Sequence, residues 1–252
     1  MIRFFDGGMG SMLNLAAGEL PEKLNISEPE RVFAVHKGYA DAGAEFITAN
    51  TFGANSLKYD NVDELVKAGV ALAKKAGKYV ALDIGPTGKL LKPMGDLEFE
   101  RAVELFAEVV RAGKDGSDVA IIETMSDMYE LKAAVIAVKE NSDLPIITSM
   151  IFDESGRLLT GGDVKSAVAM LEGLRVDAIG FNCGLGPKQM IPLVKELREC
   201  TSLPILVMPN AGLPESVDGK TVYNVSPDEF AQDMREIAKL GVSILGGCCG
   251  TT

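Results

Sequence analysis

Three cysteines framed by glycine are the residues of this chain best suited to chemistry: Cys183 in Gly180-Phe181-Asn182-Cys183-Gly184, and the pair in Gly246-Gly247-Cys248-Cys249-Gly250. The chain has four cysteines in 252 residues, and placing two side by side in a glycine-rich turn brings no evident packing gain. Zinc held by three thiolates at ~2.3 Å with a fourth, exchangeable position is the catalytic arrangement that such a set suggests. The spacing is not that of a zinc finger, which uses paired Cys-x2-Cys knuckles, so the fold itself must carry Cys183 to the pair. Both members of a vicinal pair can ligate where the backbone turns sharply, which Gly246, Gly247 and Gly250 permit. Cys200, at the end of a helical stretch beside Thr201, reads as structural.

Such a site favours a thiol substrate. Three thiolates soften the metal, making it a weak generator of hydroxide but a suitable holder of a sulfur ligand. A free thiol of pKa ~8.5 is mostly protonated at pH 7, and the thiolate is the nucleophile. Metal binding removes that proton in place of a general base. The histidine count agrees, since the chain has only His36. It falls among Val32, Val35 and Tyr39 on the apolar face of a helix and reads as a packed residue. Histidine-dependent triads and multi-histidine metal sites are poor readings.

Short apolar runs alternate with longer helical patterns, the signature of βαβ units and a parallel sheet. Strands are expected near 2–6, 46–50, 79–84, 119–123, 145–150, 177–182, 204–208 and 242–247. Helices are expected near 28–42, 62–77, 97–113, 128–141, 163–173, 187–200 and 226–240. Eight strands with a helix between successive pairs make a (β/α)8 TIM barrel. Most strands end in residues capable of chemistry: Asp6, Asn50-Thr51, Asp83, Glu123-Thr124, Asn182-Cys183, Pro209-Asn210 and Cys248-Cys249. The carboxyl ends of barrel strands share one face, so residues scattered along the chain meet there. Ordinary turn chemistry explains part of that list, but not the cysteines. Ser27-Glu28-Pro29-Glu30 and Ser226-Pro227-Asp228-Glu229 follow the capping-box pattern, and Gly43 and Gly241 sit where left-handed helix caps are expected.

The totals fit one domain spanning 1–252. Apolar content of 47%, 27 glycines and no tryptophan describe a globular chain with a full core. A net charge of -11 without a cluster of Lys or Arg argues against nucleic acid and anionic membrane surfaces as partners. The opening Met1-Ile2-Arg3-Phe4-Phe5-Asp6 lacks the apolar run of a signal peptide, and no stretch approaches the ~20 apolar residues of a membrane span. A cytoplasmic setting follows, in which clustered cysteines mean metal or catalysis more often than disulfides.

At this level the sequence resembles the homocysteine S-methyltransferase family, in its cobalamin-dependent branch. The resemblance runs through Asp6-Gly7-Gly8-Met9-Gly10-Ser11, Asn50-Thr51-Phe52-Gly53-Ala54, Asp83-Ile84-Gly85-Pro86-Thr87-Gly88, Glu123-Thr124, Gly180-Phe181-Asn182-Cys183, Pro209-Asn210-Ala211-Gly212 and Gly246-Gly247-Cys248-Cys249-Gly250-Thr251-Thr252. It implies that Cys183, Cys248 and Cys249 bind zinc, that the metal takes the homocysteine sulfur, and that the product is methionine. Homocysteine is a zwitterion. Glu123 is the expected partner of its ammonium, the backbone N–H groups of Gly7, Gly8 and Met9 of its carboxylate, and Asp6 either orients that turn or shares the ammonium. Asn210 is a candidate oxygen ligand for the fourth zinc position, displaced by substrate.

The resemblance also implies an eighth outer helix, which has no counterpart after the strand-eight motif. An open flank of that kind would be covered by further chain or by a second subunit in a homo-oligomer. With no cobalamin-binding segment in the sequence, methylcobalamin is expected from an external corrinoid-carrying protein or domain, and the turn-rich stretch 209–225 is the expected docking rim. Competing expectations are a sulfonium donor such as S-methylmethionine, a non-catalytic thiol- or zinc-binding module, and a phosphate site at Gly85-Pro86-Thr87-Gly88.

Overall fold

In a computed structural model, the chain is described over residues 2–15, 18–217 and 220–252. The barrel strands are β1 (Arg3–Phe4), β2 (Phe46–Thr48), β3 (Tyr79–Ile84), β4 (Val119–Met125), β5 (Ile146–Met150), β6 (Ala178–Asn182), β7 (Ile205–Met208) and, after a hairpin of β8 (Pro214–Val217) and β9 (Lys220–Tyr223), β10 (Ile244–Leu245). The short helices α1 (Met9–Leu13) and α2 (Leu24–Ser27) precede the outer ring. That ring comprises α3 (Pro29–Ala42), α4 (Val62–Lys75), α5 (Phe99–Gly113), α6 (Met128–Asn141), α7 (Val164–Gly173), α8 (Pro187–Cys200) and α9 (Pro227–Ala238).

Eight parallel strands run in the order β1-β10-β7-β6-β5-β4-β3-β2. Phe5 pairs in parallel with Phe46 and the Glu45 N–H donates to Phe4 O at 2.8 Å, which joins the two ends of that order. The architecture is the expected (β/α)8 TIM barrel. Each outer helix buries one stripe: α5, for example, turns Ala102, Leu105, Phe106, Val109 and Val110 inward, the 3.6-residue spacing of an amphipathic helix. No helix follows β10 among the described residues, and none is long and apolar enough to cross a membrane.

Strand parity builds the mouth. Phe5, Ala81, Val119, Ile121, Ile147, Ala178, Leu206, Met208 and Ile244 form the packed layer inside the barrel. Side chains of a strand alternate in direction, so two or four residues further on the same inward face presents Asp83, Glu123, Ser149, Asn182 and Cys248. The apolar plug beneath them makes the site a pocket rather than a pore.

Two local expectations change. Ser27 is the last residue of α2, and its hydroxyl donates to Lys23 O at 3.2 Å instead of capping α3, a common backward bond for a helical serine. Ser226 does accept from the Glu229 N–H at 3.4 Å, but the Glu229 carboxylate pairs with Lys188 and does not complete a capping box. Gly43 and Gly241 are left-handed, with φ of 107° and 83°. The stretch 209–225, expected as irregular, holds the β8–β9 hairpin, in antiparallel register from Pro214–Tyr223 to Val217–Lys220. Residues 218 and 219 of it lie outside the described residues.

Candidate metal and thiol site

The three cysteines of the two motifs converge. Their sulfurs all lie within 4.8 Å of one another, and Cys183 Sγ is 3.9 Å from Cys249 Sγ. Cys183 follows β6 in the left-handed region, φ 58°, next to Gly184 at φ 71°, a conformation that costs a non-glycine residue energy and marks functional positions. This break in strand parity turns its sulfur toward Cys249. The vicinal pair is pinned on every side: Cys248 N–H donates to Pro209 O (2.9 Å), Ala211 N–H to Cys249 O (2.9 Å) and Gly247 N–H to Asp6 O (3.0 Å). Gly250 N–H donates to Ser11 Oγ at 2.8 Å. A Cβ on Gly247 would lie 2.5 Å from Thr251 Oγ1, and one on Gly250 2.3 Å from the Tyr223 ring, so both positions require glycine.

Asn182 buttresses the cluster from below. Its Oδ1 accepts from Thr124 N–H and Ser149 Oγ, both at 2.8 Å, and its Nδ2 donates to Thr124 Oγ1 at 2.7 Å and toward Cys248 Sγ at 3.8 Å. The sulfurs also share charge. Hydrogen bonds from Cys183 and Cys248 pull Cys249 down to about 3. Giving hydrogen bonds to Cys183 and Cys249, together with burial, pushes Cys248 well above an ordinary thiol. Three soft donors at this separation fit zinc: tetrahedral Zn–S bonds of ~2.3 Å place sulfurs ~3.8 Å apart. Cys200 ends α8, packed against the outer core and apart from the cluster.

A cavity of about 510 Å³ opens beside the sulfurs, and Asp6, Gly7, Gly8, Met9, Asp83, Glu123 and all three cysteines line it. Burial raises Glu123 to about 8, with further repulsion from Asp6 and Cys249. Asp6 is buried and bonded through both oxygens to Thr48, by its N–H at 2.8 Å and its hydroxyl at 2.6 Å. Burial nonetheless raises it to about 7. The Gly8 N–H already donates to Thr251 Oγ1 at 3.1 Å, and Met9 opens α1. Asn210 is buried, and its Oδ1 accepts from the Cys249 N–H at 3.1 Å. This braces the turn and engages one of two lone pairs. The Gly85-Pro86-Thr87-Gly88 loop does not suit a phosphate, because Thr87 directs its N–H and hydroxyl to Glu130 Oε1 at 2.8 and 2.6 Å.

Two contributors had no motif to announce them. Tyr223, from β9, lines the cavity with Thr221 and gives a hydrogen bond that helps lower Cys249. Tyr39, from α3, donates to Thr251 O at 3.2 Å and ties down the turn after the cysteine pair. The alternation Lys220-Thr221-Val222-Tyr223 was the available strand signal for the first.

Comparison with known proteins agrees with this geometry. The sequence model of the homocysteine S-methyltransferase family matches residues 3–252. Methionine synthases of Mycobacterium leprae (strain TN) and Mycobacterium tuberculosis (strain ATCC 25618 / H37Rv) are each 32% identical over 278 aligned residues, covering 98% of this chain. The chain spans only 23% of the length of those relatives. The homocysteine methyltransferase MmuM of Escherichia coli in its metallated form superposes with a TM-score of 0.84 at 23% identity, over 100% of this chain and 92% of that one. Its apo form gives 0.80 at 25% identity with the same coverage. Because the family match extends over every strand end that builds the three-thiol pocket, the chain belongs to the homocysteine S-methyltransferase family, a family of methyltransferase enzymes.

Proposed function

We propose that the chain binds homocysteine with its sulfur against Cys183, Cys248 and Cys249 and passes to it a methyl group from methylcobalamin, presented by an external corrinoid protein or domain, to give methionine. The observation that carries this reading is the convergence of three thiols at one barrel mouth in a chain similar to methionine synthases. Zinc held by the three thiolates would supply the positive charge that keeps an incoming thiol deprotonated at neutral pH.

The protein's own groups do the rest. Glu123 accepts from the substrate ammonium, and Asp6, fixed by Thr48, adds negative potential behind it. The glycine turn Gly7-Gly8-Met9 offers the carboxylate backbone donors, of which Gly8 must exchange its bond to Thr251. Asn210, whose Oδ1 accepts from the Cys249 N–H, would serve as the exchangeable fourth ligand through its second lone pair. In the transfer, a sulfur lone pair forms the S–C bond, the donor–methyl bond breaks with its electrons left on the donor, and the thiol proton goes to solvent. The open mouth and the β8–β9 hairpin are the surface for the donor.

The test is turnover of zinc-loaded protein with homocysteine and free methylcobalamin. Methionine formation is expected. Turnover with S-methylmethionine alone would replace the corrinoid with a sulfonium donor, and homocysteine binding without transfer from either donor would make the chain a non-catalytic module.

A further inference from the structure

The site cavity has a charge imbalance that the assigned roles leave unexplained. Four carboxyls line it, Asp6, Glu22, Asp83 and Glu123, and no Lys, Arg or His does so among the described residues. Two of the four are satisfied by the protein. Asp6 is held by Thr48, and Glu22 accepts from Gly53 N–H at 2.6 Å and Tyr59 OH at 2.5 Å. Glu123 has been given a role above. Asp83 has none: it is 5% exposed, its Oδ1 is buried without a hydrogen-bond partner, and the residue lines the cavity.

A buried carboxyl oxygen lacking a donor costs about 1–3 kcal/mol, a cost that a donor on a ligand in the adjoining cavity would offset. A bare metal ion is the poorer fit, because among the described residues no three carboxyls lie close enough together to hold one, and the only such cluster is the cysteine trio. An alkylammonium is the better fit, since it offers three N–H donors on one charge and can reach two acceptors set on neighbouring strands. β3 and β4 are such neighbours, with Asp83 paired to Ile121 and Glu123 two residues further along the same inward face.

We propose that Asp83 is a second acceptor for the substrate's ammonium, opposite Glu123, and that the pair restricts this pocket to thiols bearing a free primary amine. The inference rests on the homocysteine reading above. Burial, and then repulsion from Glu123, Asp6 and Glu22, raises Asp83 well above an ordinary aspartate.

Calorimetric titration of zinc-loaded protein with homocysteine and with 4-mercaptobutanoate, which is homocysteine without its amine, tests the proposal. Asp83→Asn should weaken homocysteine about tenfold or more, leave 4-mercaptobutanoate and zinc content unchanged, and melt no lower than the parent, because the unpaired carboxyl oxygen contributes no bond to the fold. An equal loss for both thiols, no loss for either, or failure to fold would overturn it. Glu123→Gln separates the two levels. If it removes the preference for the amine while Asp83→Asn does not, only the role of Asp83 falls; if neither variant alters the preference, the ammonium reading itself is wrong.

Discussion

Each sulfur of the cluster is held by a different backbone device, so the ligand set can be dissected one residue at a time. Cys183→Ala or Cys248→Ser should abolish zinc retention while circular dichroism stays that of the parent, whereas Cys200→Ala should change neither; zinc lost on the Cys200 change alone would refute the set. Glu123→Gln removes an acceptor and no metal ligand, so homocysteine affinity should fall about tenfold with one zinc per chain retained. The convergence of the three cysteines was legible in the sequence because cysteine and glycine in such spacing have few other uses. The link between Asn182 and Cys248 through Thr124 and Ser149 was not legible. Thr and Ser have too many ordinary roles to signal one, and the partners lie 58 and 33 residues away from Asn182.

At the scale of elements, the barrel transmits sequence order into geometry through strand parity, and small residues let the strands close. Gly180 shows the tightness: a Cβ there would lie 2.0 Å from Leu206 O in the adjacent strand. Backbone cannot move aside as a side chain can, so Gly180→Ala should destabilise the fold by about 2 kcal/mol or more, read as a lower urea midpoint. Retained stability would mean that β6 and β7 can separate freely. Every barrel strand and outer helix was readable from periodicity, because most bury a continuous apolar face; β1, whose Arg3 and Phe4 are both exposed, was carried by the short apolar run it belongs to. The β8–β9 hairpin was not, because Pro214, Glu215 and Ser216 read as turn residues and a two-stranded ribbon carries little apolar alternation of its own.

For the whole molecule, one buried histidine gives the fold a pH dependence separable from the site. His36 is 0% exposed with neither ring nitrogen hydrogen-bonded, and burial lowers it from 6.5 to about 4. Above pH 6.5 it is neutral folded or unfolded, and its contribution is fully present. As pH falls from 6.5 toward 4 the unfolded chain takes up the proton first, and about 3 kcal/mol is lost through the folded pKa. His36→Leu should flatten the urea midpoint over that range relative to the parent; an unchanged slope would show that other groups carry it. The most direct test of the account is the number of protons released when homocysteine binds, obtained from calorimetry in buffers of different ionisation enthalpy. Zinc-loaded protein should release one more proton per homocysteine at pH 7 than zinc-stripped protein, since any proton given up by Glu123 on meeting the ammonium is common to both forms. Equal proton release by the two forms would contradict thiol activation by the three-cysteine site.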